Sequence, residues 1–355
     1  KKKKKYPKVK RIKKKKKNLK CAGDRIYPIF TNLSPSGFPY QQINLQTGAV
    51  NKQTLTTNPA IVGTAIIEFG CLSYLTGDMK YYNAAKKNLQ LLKNAQSSIG
   101  FVGSTINLTA TSSQHLWLAT DTHIDAGIDS YYEYLLKCWK LFADNDCLQW
   151  WNDALYSITT YLSYYQSQNL WFIIANMNTG KIVRNGYEYD LYAAYFAAEL
   201  ALAGEMELAE ANQNANWEMW EQYDIEPGVY DFLLHIPTNR KYDLNPENFE
   251  SNYYMYVFTN NTMYYNRAVE YFNDIVTYCK CNTDCVGYSA LRDVILKSRQ
   301  NSCPSYFFAE SMKYLYLTFL HNVTITQGVD TGFNFNDYIF NTEAHPVPKK
   351  WGNLF

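Results

Sequence analysis

An all-α fold assembled from repeated helical hairpins is what this sequence predicts, and two observations carry that reading. The first is periodicity: the segment Ala65–Leu92 has apolar residues at helical spacing on both sides of the breaker Thr76-Gly77-Asp78, which reads as helix, short turn, helix. The second is recurrence. After that turn comes Tyr81-Tyr82-Asn83-Ala84-Ala85; Tyr264-Tyr265-Asn266-Arg267-Ala268 follows the turn Asn260-Asn261, and Trp150-Trp151-Asn152-Asp153-Ala154 follows Asp144-Asn145-Asp146. A weaker fourth hairpin runs through Ala193–Leu202, Gly204-Glu205 and Met206–Ala211. Such hairpins pack side by side and either close into a ring or extend as a solenoid. The aromatic pairs after the turns read as hairpin packing rather than as a ligand platform.

A chain of 355 residues, 47% of them hydrophobic, can bury one large core, so a single domain is expected. The net charge of +2 conceals an asymmetry, because Lys1–Lys20 is mostly lysine and the remainder is acidic. A basic run can serve as a nucleic-acid or acidic-membrane arm, but blocks of like charge are usually solvated tails, and no nucleic-acid partner is expected. No apolar stretch approaches the ~20 residues of a membrane span, so no span is expected. Neither is there the apolar core of a signal peptide; a secretory protein would carry its targeting segment outside this chain.

The eight cysteines are too few for a disulfide scaffold. Cys279, Cys281 and Cys285 cluster without a matching Cys or His pair, which favours a local disulfide over a zinc site. The sequons beginning at Asn32, Asn107, Asn260 and Asn322 would permit glycosylation in an oxidising lumen.

Phosphate loops, Gly-x-Ser-x-Gly and His-Glu-x-x-His are all absent, so any chemistry must rest on carboxylates. Asp129 and Glu133, four residues apart, share one face of a tyrosine-rich helix that suits a sugar, although Asp129 could equally be a helix cap. Glu247 and Glu250 follow Pro246 in a first helical turn, where favourable charge at the helix N-terminus is the plainer explanation. Asn341-Thr342-Glu343-Ala344-His345-Pro346 sets hydroxyl, carboxylate and imidazole side by side; oxygen donors of this kind suit calcium, but one motif supplies too few for a full shell.

Several motifs in order carry a family resemblance from about Ile29 to Pro346. They are Gly37-Phe38-Pro39-Tyr40, Glu68-Phe69-Gly70 leading to Leu75-Thr76-Gly77-Asp78, Gly100-Phe101-Val102-Gly103, Asp129 to Lys137, Pro246-Glu247, Gly287 to Val294, Phe307 to Leu317, and Asn341 to Pro346. The chain resembles glycoside hydrolase family 47, the class I α-1,2-mannosidases, and within it the ER degradation-enhancing α-mannosidase-like group. The resemblance implies an (α/α) barrel or toroid, a bound Ca²⁺, and inverting removal of α-1,2-linked mannose from high-mannose N-glycans on misfolded glycoproteins, in the endoplasmic reticulum lumen or secretory pathway. It assigns Asp129 and Glu247 to positioning or activating the attacking water, and Thr342 to direct Ca²⁺ binding. Glu68, Glu133, Glu250 and Glu343 match residues that line the pocket or hold calcium-bound waters.

The chain also departs from the family. The N-terminal hairpins, with the Phe-Glu-x-x-Ile-Arg segment that bears the proposed acid, have no counterpart before Ile29. Asn245-Pro246-Glu247 stands where the family has Arg-Pro-Glu, the Glu of Leu-Pro-Glu falls on Gly228, Met-Glu-Ser-Phe becomes Cys303-Pro304-Ser305-Tyr306, and a Pro-Gly pair becomes Ala197-Ala198. The expected organisation is a lysine-rich tail over 1–22, a barrel domain lacking its first hairpins over 23–347 and a C-terminal tail over 348–355. A partner protein is expected over the open edge. The alternative to a calcium-dependent mannosidase is a degenerate, lectin-like binder of mannose-rich glycoproteins.

Overall fold

The computed structural model describes residues 18–282 and 286–354. The lysine run before residue 18 and Cys285 lie outside the described residues. Residues 18–22 of the expected tail are helical, as part of α1 (residues 18–26). That helix has a tertiary anchor, since Asp24 accepts hydrogen bonds from Lys80 Nζ and the Tyr81 hydroxyl, each at 2.6 Å.

After the short α2 (Pro59–Gly63) come the hairpins: α3 (Ile66–Thr76) with α4 (Lys80–Asn94), α5 (Asp129–Phe142) with α6 (Asn145–Tyr161), α7 (Phe196–Ala203) with α8 (Met206–Glu221), and α9 (Glu247–Thr259) with α10 (Thr262–Asp274). Then α11 (Met312–Gln327) packs on both α9 and α10. The first helix of each pair packs on the first helix of the next, α3 on α5, α5 on α7, α7 on α9, so these form an inner layer backed by the second helices. Burial follows from this arrangement. Every residue of α7 except the last, Ala203, is buried, whereas α4 buries only the stripe Tyr81, Tyr82, Ala85, Asn88, Leu89 and Leu92. The aromatic pairs are indeed packing: Tyr82 meets Phe142 edge to face with ring centroids 5.4 Å apart, and Trp150 and Trp151 are buried.

The four hairpin turns share one device. Each inner helix ends on a left-handed residue, Gly77, Ala143, Gly204 or Asn260, with φ between 52° and 100°. In two turns the next residue caps the outer helix, Asp144 accepting from the amides of Asp146 and Cys147 and Asn261 from that of Met263, while Asp78, one residue ahead of the α4 cap position, accepts from the Lys80 amide. Because these turns are short and the returns are long, the inner helices run parallel and their N-termini gather at the long-loop end. The returns carry small antiparallel sheets, one of which joins Glu188–Asp190, Val229–Asp231 and Ile236–Asn239.

Cys138 and Cys147 form a disulfide that staples α5 to α6, a pairing the cysteine spacing did not disclose. Cys281 is also disulfide-bonded, while Cys279 is a buried free thiol. Closing so short a loop should contribute about 2–3 kcal/mol, so Cys138→Ser is expected to lower the melting temperature in non-reducing buffer and to narrow the difference that reductant makes, as calorimetry with and without reductant would measure.

Two expectations need correction. Pro59–Thr76 has the length and apolarity of a membrane span, contrary to the reading that no stretch approaches one. Its helical run breaks at Thr64 and Ala65, and Ile66 and Ile67 are fully buried core residues against neighbouring helices, which accounts for the apolarity. The C-terminal segment is not a free tail either: Lys349–Gly352 docks on α3 and α5, with Gly352 so close to the Leu141 carbonyl that no side chain fits there.

Candidate active site

Each inner helix carries an acid at its N-terminal end: Glu68 on α3, Asp129 on α5, Glu199 on α7, Glu247 and Glu250 on α9, and Glu310 in the turn Phe307–Ser311 that leads into α11. Parallel helices bring these ends together, and the positive ends of the helix dipoles face them. The result is a carboxylate-lined lumen. Its acids feel one another in a closed circuit, from Asp125 through Asp129, Glu133, Glu250, Glu310, Glu247, Glu226 and Asp190 back to Asp125.

Asp129 is half-buried and is not a capping residue; its Oδ1 accepts only from the adjacent Ser130 amide at 2.9 Å. Burial, reinforced by the charges of Glu133 and Asp125, pushes its carboxyl up to about 7. Glu247 is also raised, well above the ordinary carboxylate range, by burial and then by Glu226 and Glu310. The neighbouring Asn245 side chain is neutral, so it lends the Glu247 carboxylate a hydrogen bond but no counter-charge.

Glu133 and Glu250 meet around Lys137, which is fully buried. Its Nζ lies 2.6 Å from Glu133, 3.1 Å from Glu199 and 3.7 Å from Glu250. Burial opposes the ammonium charge, but these three carboxylates hold it protonated. Glu68 is exposed although its flanking residues in α3 are buried, which marks the open lumen; its Oε1 accepts from the Tyr134 hydroxyl and from Asn341 Nδ2, each at 2.8 Å.

Thr342 and Glu343 lie in the turn of a hairpin whose strands, Tyr338–Phe340 and Pro346–Pro348, pair antiparallel. Asn341 Oδ1 ties that turn by accepting from the amides of Glu343 and His345 at 3.1 and 2.8 Å. The Thr342 amide donates to the Tyr134 hydroxyl at 3.4 Å, bringing the turn beside Glu68. Glu310 is pushed up to about 8 by burial and then by Glu343 and Glu250. Thr342 oxygens and an excess of neighbouring carboxylates make an oxygen donor set that fits a hard cation such as Ca²⁺. By contrast, Cys138, Asp144 and Cys147 cluster elsewhere, but their two sulfurs are bonded to each other.

The structure brings the seven residues expected from the sequence into one neighbourhood, with Glu68 and Thr342 joined through Tyr134 and Glu133 and Glu250 through Lys137. Sequence reasoning missed Glu199, Glu226, Asp190 and the role of Glu310. An acid in the first turn after each long loop was the available signal for Glu199 and Glu310. For Glu226 there was none.

These raised carboxyls bind protons more tightly in the folded chain than in the unfolded one. Their penalty is absent below the ordinary carboxylate range of ~4 and grows as pH rises through about 7 for Asp129 and Asp190 and about 8 for Glu226 and Glu310. His123 acts in the same direction: burial opposes its charge, yet Asp125 and Asp121 raise it to about 10, so its contribution is complete below ~6.5 and lost above. The melting temperature should therefore fall steadily from pH ~5 to pH ~9. A flat or rising profile in scanning calorimetry would contradict this electrostatic picture.

The overall likeness agrees with the site. The alpha-1,2-mannosidase from Trichoderma reesei superposes with a TM-score of 0.78 at 21% identity, covering 92% of this chain and 72% of that one, which establishes the (α/α) barrel. Among curated proteins, alpha-mannosidase I MNS5 of Arabidopsis thaliana is 30% identical over 327 residues, 92% of this chain and 53% of its own length. ER degradation-enhancing alpha-mannosidase-like protein 3 of Homo sapiens is 31% identical over 338 residues, 93% of this chain and 34% of its own. The chain thus spans about half or less of these relatives. The model of glycosyl hydrolase family 47 matches residues 12–349, a stretch that takes in every hairpin and the Thr342 turn, and on that match the chain belongs to this family.

Proposed function

We propose that this site hydrolyses α-1,2-linked mannose from high-mannose N-glycans of glycoproteins, with inversion and with Ca²⁺ bound. The observation that carries the reading is the placement of Asp129 and Glu247, two carboxyls with raised proton affinity, on one acid-lined lumen of a family 47 barrel. An inverting glycosidase needs one carboxyl to protonate the leaving oxygen and another to take a proton from water, and Asp129 and Glu247 are the candidates for positioning and activating that water. Thr342 would hold Ca²⁺, with Glu68, Glu133, Glu250 and Glu343 lining the sugar pocket and orienting calcium-bound water; the ion would offset the lumen's negative charge and bind sugar hydroxyls. Relatives named for the endoplasmic reticulum, together with the Cys138–Cys147 disulfide, support an oxidising secretory compartment and a role in glycoprotein degradation. Phe308 and Tyr316, both about 60% exposed around the start of α11, support a partner protein on that flank.

The test is mass spectrometry of a high-mannose N-glycan incubated with the purified chain, with and without Ca²⁺. Calcium-dependent loss of hexose supports the hydrolase. Retention of uncleaved glycan on the protein would instead favour the lectin-like alternative, for which the neutral residues at Gly228 and Asn245 speak.

A further inference from the structure

Arg267 on α10 is only 8% exposed, and its guanidinium lies over two aromatic rings, 5.0 Å from the ring centroid of Trp217 on α8 and 5.6 Å from that of Tyr264. The rings attract the cation but supply no oxygen acceptor for its N–H groups. A guanidinium has five N–H donors in one plane. Here Nη2 donates to Asn214 Oδ1 at 2.9 Å, while the buried Nη1 has no partner. Among the described residues no carboxylate forms an ion pair with this arginine. Charged side chains are rarely buried without a counter-ion, and an unfilled buried donor is costly. Arg267 also stands in the wall of an open groove of about 420 Å³ between the outer helices α8 and α10. Trp217, Glu221, Asn261, Asn266 and Glu270 line the groove with it, and the last four are exposed. The lumen is lined by the inner helices, so this groove is a separate place.

The lining decides the class of ligand. An oxyanion would satisfy Arg267 but meet the like charges of Glu221 and Glu270, and a cation would suit those carboxylates but leave the arginine without its acceptor. A neutral polyhydroxyl compound answers both, because each hydroxyl can accept from a guanidinium N–H and donate to a carboxylate. Asn261 and Asn266 add paired donors and acceptors, and Trp217 adds apolar surface, the mixture that fixes a small polar ligand in a cleft. We propose that the α8–α10 groove is a second carbohydrate-binding site, which takes a neutral hexose unit of a glycan with Arg267 and Glu270 as its principal polar contacts. It retains the sugar without cleaving it, and it does not depend on the reading of the lumen as a hydrolase.

The experiment is a saturation-transfer NMR titration of the full chain with α-1,2-mannobiose in EDTA. The chain is produced without N-glycans, so that the sequon at Asn260, whose Asn261 lines the groove, carries no sugar of its own. Glu270→Ala, a change at an exposed position, is expected to weaken binding about tenfold, the loss of one hydrogen bond to a charged group. Arg267→Lys keeps the charge but not the planar fork and should weaken binding at least as much. A purely structural Arg267 would lower the melting temperature and leave the affinity as it was, and that outcome overturns the proposal. Should Arg267→Lys not fold, Glu270→Ala carries the test alone. Glu247→Gln, in the lumen, is expected to bind the sugar as the native chain does. No binding by the native chain, native affinity in Glu270→Ala, or a loss in Glu247→Gln instead would each refute the groove. EDTA withholds the Ca²⁺ on which the hydrolase reading relies, so failure of that reading and failure of this one are separable.

Discussion

Replacing Lys137 with methionine should destabilise the fold by about 3–5 kcal/mol, the cost of leaving buried carboxylates without their cation. Lys137 is the only ammonium within 4 Å of Glu133, Glu199 and Glu250 among the described residues, and it is itself fully buried. Methionine matches its length and apolar stem, so cavity formation contributes little. The carboxyls cannot relax into water; they must take up protons, which makes the variant worst at alkaline pH and partly rescued by acid. Urea denaturation at pH ~5 and pH ~8 measures this, and equal losses at both would show that packing rather than charge is responsible.

Glu247→Gln is expected to lower glycan cleavage by about 10²- to 10⁴-fold, the range for losing a positioned acid or base. Stability should move by less than about 1 kcal/mol, because the amide replaces a carboxyl whose buried environment already favours its neutral form. That contrast with Lys137 is diagnostic. One residue holds the barrel together around its charges, whereas the other sits where the chemistry is assigned, and comparing cleavage with melting temperature for both variants separates the two roles. A Glu247→Gln chain that cleaves at the native rate would remove Glu247 from the reaction.

Much of the architecture was legible before any coordinates. Gly77, Asp144, Gly204 and Asn260-Asn261 mark the four hairpin turns, because left-handed closure and side-chain capping restrict which residues can stand there. The candidate site was legible in part. Asp129, Glu133, Glu247, Glu250 and Thr342 stand in ordered motifs, and Glu310 lay unremarked in the run Phe307–Leu317. Glu199 was hidden because one acid in a string of alanines and leucines has no local explanation; only its 3.1 Å approach to Lys137, from a different helix, supplies one.

By itself, then, the sequence determined the helical hairpins, their turns and the first-turn acids Asp129, Glu247 and Glu250, since capping, turn chemistry and helical periodicity act over a few residues. Only the tertiary structure decided what surrounds those acids. Whether Asp129 caps a helix, and which carboxyls are buried, depend on groups hundreds of residues away in sequence, as with Asn341 donating to Glu68. Desolvation and Coulomb interactions are set by distance in space, and for these residues that distance exists only once the inner helices stand side by side.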